Sequence, residues 1–173
     1  MARVSSFVIR PAEPRDVPEI LRLIRDLATY EREPDAVENT EADLHRVLFP
    51  SDGHPTAWTH VAEPSEGGDG RLLGIALWFL TYSTWTGRNG IWLEDLYVDP
   101  SHRGSGIGKD LLATLAAICV ERGYPRLDWT VLNWNEPSLA FYRSIGAIPM
   151  AEWTTQRLSG ASLAALGSTT STP

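Results

Sequence analysis

Positive charge, sulfur and long apolar runs are all scarce in this chain. Fifteen Lys and Arg stand against 22 Asp and Glu, a formal net charge of −7 over 173 residues. That balance disfavours nonspecific binding to nucleic acid and suits a small cationic partner. The single cysteine, Cys119, has no partner for a disulfide within the chain. It falls in an apolar helical pattern, where a cysteine serves as a small core residue rather than a nucleophile. No apolar run is long enough to cross a bilayer, and Met1–Ser6 does not form a signal peptide, so a cytoplasmic protein without membrane attachment is expected. The four histidines (His45, His54, His60, His102) show no ligand-like spacing with one another or with Cys119, so no metal is assigned. Internal repeats are absent as well.

What is present is an ordinary globular composition, 43% hydrophobic and 21% charged, which predicts one domain over 1–173 with frayed ends at 1–6 and 168–173. Strand patterns cover 7–10, 57–63, 72–82, 91–98, 126–131 and 152–158. Helical periodicity covers 15–30, 40–48, 104–122 and 135–146, and a short helix is expected at 160–166. Thr40 and Asp43 have capping-box spacing, Gly123 is placed to end a helix, and Asn135 is a good N-cap. The long loop at 64–70 is expected to be mobile. Seven tryptophans are many for this length; they belong chiefly to the core, and an amine-binding cleft would use one or two.

The organising stretch is strand 91–98, then Asp99-Pro100-Ser101-His102-Arg103-Gly104-Ser105-Gly106-Ile107-Gly108-Lys109, then a helix. Three glycines relax the backbone at a helix N-terminus, where bare N–H groups and the dipole favour an anion. Arg103 and Lys109 add full positive charge. Two common phosphate loops do not fit. Gly108-Lys109 is followed by Asp110 rather than the hydroxyl that a P-loop requires, and Gly104-x-Gly106-x-Gly108 has the wrong spacing for a dinucleotide fingerprint.

Arg103-Gly104-Ser105-Gly106-Ile107-Gly108 instead resembles the pyrophosphate loop of the GCN5-related N-acetyltransferase (GNAT) superfamily. Trp92-Leu93-Glu94-Asp95-Leu96-Tyr97-Val98 resembles that superfamily's central strand, and 132–147, with Asn135, Ser138, Phe141 and Tyr142, its next strand-helix unit. Within the superfamily, Arg10-Pro11, Leu21-Arg22-Leu23-Ile24 and Leu27-Ala28-x-Tyr30-Glu31 look like the opening of the diamine and thialysine N-acetyltransferases. Ser83, where the polyamine enzymes carry an acid, turns the likeness toward the thialysine branch.

The resemblance implies an α/β fold: a mixed, mostly antiparallel sheet with helices on both faces and a splay between the two central parallel strands. It also implies acetyl-CoA as cosubstrate, acetyl transfer to a small primary amine in a ternary complex, and a homodimer. Leu96, Tyr97, Val98, Arg103, Gly104, Ser105, Gly106, Ile107, Gly108, Lys109, Asn135 and Ser138 are then expected at the cofactor. Tyr30, Glu31, Trp85, Glu94, Asp128 and Trp129 are expected at the amine. Glu94 is the expected base or substrate anchor, its neighbours Leu93 and Leu96 suggesting apolar surroundings that would raise its pKa. Asp95 points to the opposite face of an ideal strand, unless a bulge intervenes. Tyr142 is the expected acid toward the leaving sulfur. Two readings remain open beside this one: acetylation of another amine (an amino acid, an antibiotic, a protein N-terminus), and an acetyl-CoA-binding module without catalysis.

Overall fold

The structure, a computed structural model, describes residues 6–66 and 69–169. Parts of the expected terminal tails (1–6 and 168–173) and of the 64–70 loop therefore lie outside the described residues. The rest forms two compact units that divide between Leu132 and Asn133.

The first unit is built on one five-stranded sheet in the spatial order β1 (Phe7–Pro11), β2 (Trp58–Pro64), β3 (Gly74–Ser83), β4 (Arg88–Val98), β5 (Leu127–Trp129). The first three pairings are antiparallel, and β4 with β5 is parallel. A parallel neighbour needs a crossover, and α3 (Ile107–Arg122) supplies it. Between β1 and β2 come α1 (Val17–Tyr30) and α2 (Glu41–Leu48). The first begins two residues later than its periodicity predicts, because Pro14–Asp16 forms a 3-10 turn ahead of it. The second is capped as expected: the Thr40 hydroxyl accepts from the Asp43 amide, and the Asp43 carboxylate accepts from the Thr40 amide.

Side-chain alternation assigns the two faces of the sheet. Val61, Ile75 and Tyr97 are cross-strand neighbours in the core that Val17, Ile20, Leu21, Leu23, Leu44 and Leu48 of α1 and α2 complete. Each such large apolar side chain contributes about 1.5–3 kcal/mol when fully buried. Gly74 and Val98, one step along, face α3 instead: a Cβ on Gly74 would lie 3.2 Å from Ile107 Cγ2 and 2.8 Å from the Tyr97 carbonyl oxygen. Only glycine lets β3 run this close to β4. Gly123 ends α3 with φ +67°, the left-handed cap expected of it.

The second unit holds α4 (Glu136–Ser144) and α5 (Gly160–Gly167). Asn135 caps α4, its side-chain oxygen accepting from the Ser138 amide at 3.4 Å. The strand expected at 152–158 does not form; the segment is irregular after a turn. Alternating Trp153, Thr154, Thr155 and Gln156 suit a strand, but extended backbone becomes one only when it finds a partner, and this unit contains no other strand among its described residues. No helix among the described residues is long and apolar enough to cross a membrane.

Candidate active site

The glycine-rich turn has the geometry of an anion cradle. Gly104 (φ +79°) and Gly106 (φ +103°) both lie in the left-handed region, and Gly106 is the N-cap of α3 with no side chain closing the helix end. The first-turn amides are thus left without a side-chain cap, and a 16-residue helix stands behind them. Gly108 is a correction to the sequence reading: it is helical, and a Cβ there would make only an ordinary 3.6 Å contact with Val98 Cγ2. Lys109, the one lysine in the sequence, sits in the first turn. Arg103 is held more tightly. Its Nε donates to the Val98 carbonyl at 3.2 Å, and its guanidinium carbon lies 4.8 Å from the Tyr30 ring centre and 5.5 Å from that of Tyr97. Ser105 turns inward on the loop, its hydroxyl donating to the His102 carbonyl at 2.6 Å.

A short distance back along β4 the strand carries a bulge. Trp78 of β3 lies opposite Leu93, whereas the adjacent Leu77 lies opposite Asp95, so Glu94 is the extra residue. Strict alternation would put Leu93 and Asp95 on one face. The bulge separates them: Leu93 stays with Trp78, and Asp95 turns to the face that carries Leu77, Tyr97 and α1. Both acids are then close enough to repel.

The consequence is electrostatic. Burial raises the Asp95 carboxyl from its ordinary 3.8 to about 6, with the negative charges of Glu94 and Glu31 adding to the shift. Burial also pushes the Glu31 carboxyl upward. Glu94 does not have the apolar surroundings expected of it: it is exposed, and its carboxylate accepts from the Trp92 indole N–H at 2.8 Å. Glu94 and Glu31 thus both act on Asp95, and among the described residues no group of acids and histidines has the geometry to hold a metal. The cluster can bind a cation, and its half-buried member, Asp95, can exchange a proton near neutral pH.

On the β5 side of the site the strand pairing is short. The strand expected at 126–131 is three residues long, and its pairing with β4 stops at Leu93↔Trp129. Residues 94–98 continue β4 without a β5 partner among the described residues, so the main chain around Leu96, Tyr97 and Val98 is in position to bind a ligand amide or carbonyl. The Tyr97 side chain is buried toward α1.

The remaining candidates divide. Asp128 lies beside Trp92 and is already paired with Arg126 at 3.0 Å, while Trp129 lies beside Leu93 on the opposite face. Trp85 stands 88% exposed in the hairpin turn before β4, and about 23 Å of strand runs from Arg88 to Asp95. It does not join the carboxylates. In the second unit Ser138 and Tyr142 lie one turn apart on α4, and the Tyr142 ring is tilted against Phe141 at 5.4 Å. Cys119 is inert in this setting: burial pushes its thiol pKa up, and its sulfur lies 3.6 Å from the Arg126 carbonyl.

The arrangement defines a class, and comparison with known proteins agrees with it. Residues 18–147 match the Acetyltransferase (GNAT) family, and the chain belongs to that family. It is 37% identical over 164 residues to a thialysine N-epsilon-acetyltransferase of Sus scrofa, spanning 91% of this chain and 95% of that one. It is 38% identical to a spermidine/spermine N(1)-acetyltransferase-like protein of Homo sapiens, covering 84% of this chain but 21% of that longer protein. Among solved structures, an integron cassette protein from Vibrio cholerae superposes with a TM-score of 0.75 at 27% identity, over 94% of this chain and 98% of the other.

Proposed function

We propose that this acetyltransferase moves the acetyl group of acetyl-CoA onto the primary amine of a small cationic substrate of the thialysine type, by direct attack in a ternary complex. The observation that carries this reading is the half-buried Asp95, with its carboxyl near 6, on the strand that leads into the uncapped glycine turn, with Glu94 beside it and Glu31 at the end of α1.

The turn fits a diphosphate: two left-handed glycines, free helical amides and the charges of Arg103 and Lys109. Acetyl-CoA bound there would supply the thioester. A primary alkylamine, with a pKa of about 10.4 by analogy with lysine, arrives as ammonium. Glu94 and Glu31 attract it, and Asp95 takes its proton, directly or through water, so that the neutral nitrogen can form the new C–N bond. Main-chain amides of 96–98 stabilise the charge developing on the carbonyl oxygen; one such donor is worth about 2.7–4 kcal/mol. As the C–S bond breaks, Tyr142 gives a proton to the departing thiolate, a role that rests on the family resemblance.

By the family resemblance, Ser83 favours the thialysine branch over the polyamine branch. In the structure Ser83 is buried at the hairpin end of β3, opposite Arg88, and its hydroxyl accepts from the Thr86 amide at 3.4 Å. The deciding experiment is a panel of amines assayed for CoA release. A thialysine-like amino acid is expected to exceed spermidine in kcat/KM by about tenfold or more, the worth of one well-placed ion pair. Equal or reversed preference would remove the substrate assignment; no CoA release from any amine would favour the binding-module reading. Tyr142→Phe should lower kcat by about 10²-fold with acetyl-CoA affinity unchanged by titration. Unchanged turnover would take Tyr142 out of the mechanism. A homodimer belongs to the same proposal, supported by the exposed Ile148, Met150 and Trp153 of the second unit; sedimentation of the intact chain tests it.

A further inference from the structure

A second concavity lies at the other end of the sheet, where β1 ends, β2 begins and α3 finishes. It has a volume of about 210 Å³. Its centre is aromatic: Trp58 and Trp78 stack with ring centres 4.9 Å apart, and His60 stacks on Trp78 at 6.1 Å. No carboxylate lines it, in a chain whose net charge is −7. The cavity is separate from the glycine turn. Arg122 closes α3 at its C-terminal end, about 22 Å along the helix axis from Ile107.

Two polar groups, His60 and Arg122, border this apolar wall. The Trp78 indole N–H donates to His60 Nδ1 at 3.2 Å, which fixes the imidazole proton on Nε2 and makes that atom a donor. Burial holds the His60 pKa below its ordinary value, so the ring stays neutral in this role at pH 7. Arg122 is exposed at the rim and makes no ion pair with any described residue. Its charge is favourable at a helix C-terminus, yet that leaves the guanidinium N–H groups available.

We propose that this cavity is a binding site for a small aromatic carboxylate, with the ring against the stacked tryptophans and the carboxylate meeting Arg122. Size sets the class: a dry cavity of about 150 Å³ takes benzene, so this one accommodates a single ring with a short acidic arm and little more. Charge sets the sign. Among the described residues the charged group on the lining is a cation, Arg122, opposite to the carboxylate cluster around Asp95, so the two sites would select opposite ligands. The site does not depend on the proposed acetyl transfer.

The test uses phenylacetate as probe on the intact chain, followed by calorimetry and by quenching of tryptophan fluorescence. Phenylacetate is expected to bind saturably at one site, and the neutral isostere phenylacetamide at least tenfold more weakly. Arg122→Gln, a change at an exposed position, should weaken phenylacetate about tenfold, leave phenylacetamide unaffected and leave acetyl transfer intact. The proposal is overturned if phenylacetate shows no saturable binding at millimolar concentration. It is also overturned if Arg122→Gln binds it as the wild type does, or if Arg103→Gln abolishes binding while Arg122→Gln does not, since the acid would then occupy the glycine turn.

Discussion

Asp95→Asn is expected to lower kcat/KM by about 10²–10⁴-fold, the range that removal of a positioned general base produces. It should also erase the acidic limb of the pH–rate profile. In the wild type the base works only when ionised, so kcat/KM should rise with pH and level off above about 6, the value to which burial and two neighbouring acids raise the group. Stability should move the other way. A carboxyl whose folded pKa lies above its unfolded value stabilises the fold when protonated, and that contribution is lost as pH rises through about 6. The gap between 3.8 and about 6 corresponds to at most about 3 kcal/mol. Asparagine cannot ionise, so the variant should be more stable than the wild type at pH 7.5 and nearly equal to it at pH 4, by urea unfolding. A variant that keeps the acidic limb would transfer the role to Glu94 or Glu31. Glu94→Gln should instead raise KM, because Glu94 is exposed and held by Trp92.

The contrast between these two acids shows where sequence reasoning stops. The strand, the glycine turn and the helix behind it are local features, set by alternation, by positive φ and by 3.6-residue periodicity, and each is legible from residue types alone. The bulge is not. It exists because β3 and β4 differ by one residue in register between Leu77/Trp78 and Asp95/Leu93, a property of two strands taken together. Strict alternation places Asp95 away from Glu94, and the extra residue reverses that. The adjacent acids Glu94-Asp95 were the available signal, since placing two like charges side by side in a buried strand is costly without a purpose. The missing strand at 152–158 fails for the same reason: its pattern is local, its partner is not. Gly108 is the opposite case, a glycine whose motif membership suggests special backbone geometry and whose φ is plainly helical.

Arg10→Ala is the substitution expected to cost the most stability, about 3–5 kcal/mol by urea or thermal unfolding at pH 7. Arg10 lies on β1 with its guanidinium forked onto Asp16, Nη1 to Oδ2 at 2.7 Å and Nη2 to Oδ1 at 3.0 Å, and Nη2 reaches Glu63 at 2.7 Å. Asp16 is 6% exposed and directly precedes α1. It also accepts from the Glu13 amide at 2.7 Å, so its position fixes the turn that launches the helix. Removing the arginine leaves a buried carboxylate with no cation hydrogen-bonded to it, which is far worse than removing both. Against the roughly 5–15 kcal/mol that holds an ordinary domain together, such a loss is large. Burial alone would raise the Asp16 pKa, but the hydrogen bonds from Arg10 outweigh it and hold the group below its usual range. The stabilisation is therefore present above the unfolded pKa of about 3.9 and lost as pH falls through the folded value. The gap between wild type and Arg10→Ala should accordingly narrow below pH 4. The double variant Arg10→Met/Asp16→Asn should recover much of the loss, because it removes the stranded charge along with its partner. If the double variant were as unstable as Arg10→Ala, the cost would lie in lost packing of the arginine stem rather than in the buried charge. Because α1 ends at Tyr30 and Glu31, beside Arg103 and Asp95, loosening its first turn should also reduce amine binding: in Arg10→Ala at low temperature, KM should rise before kcat falls.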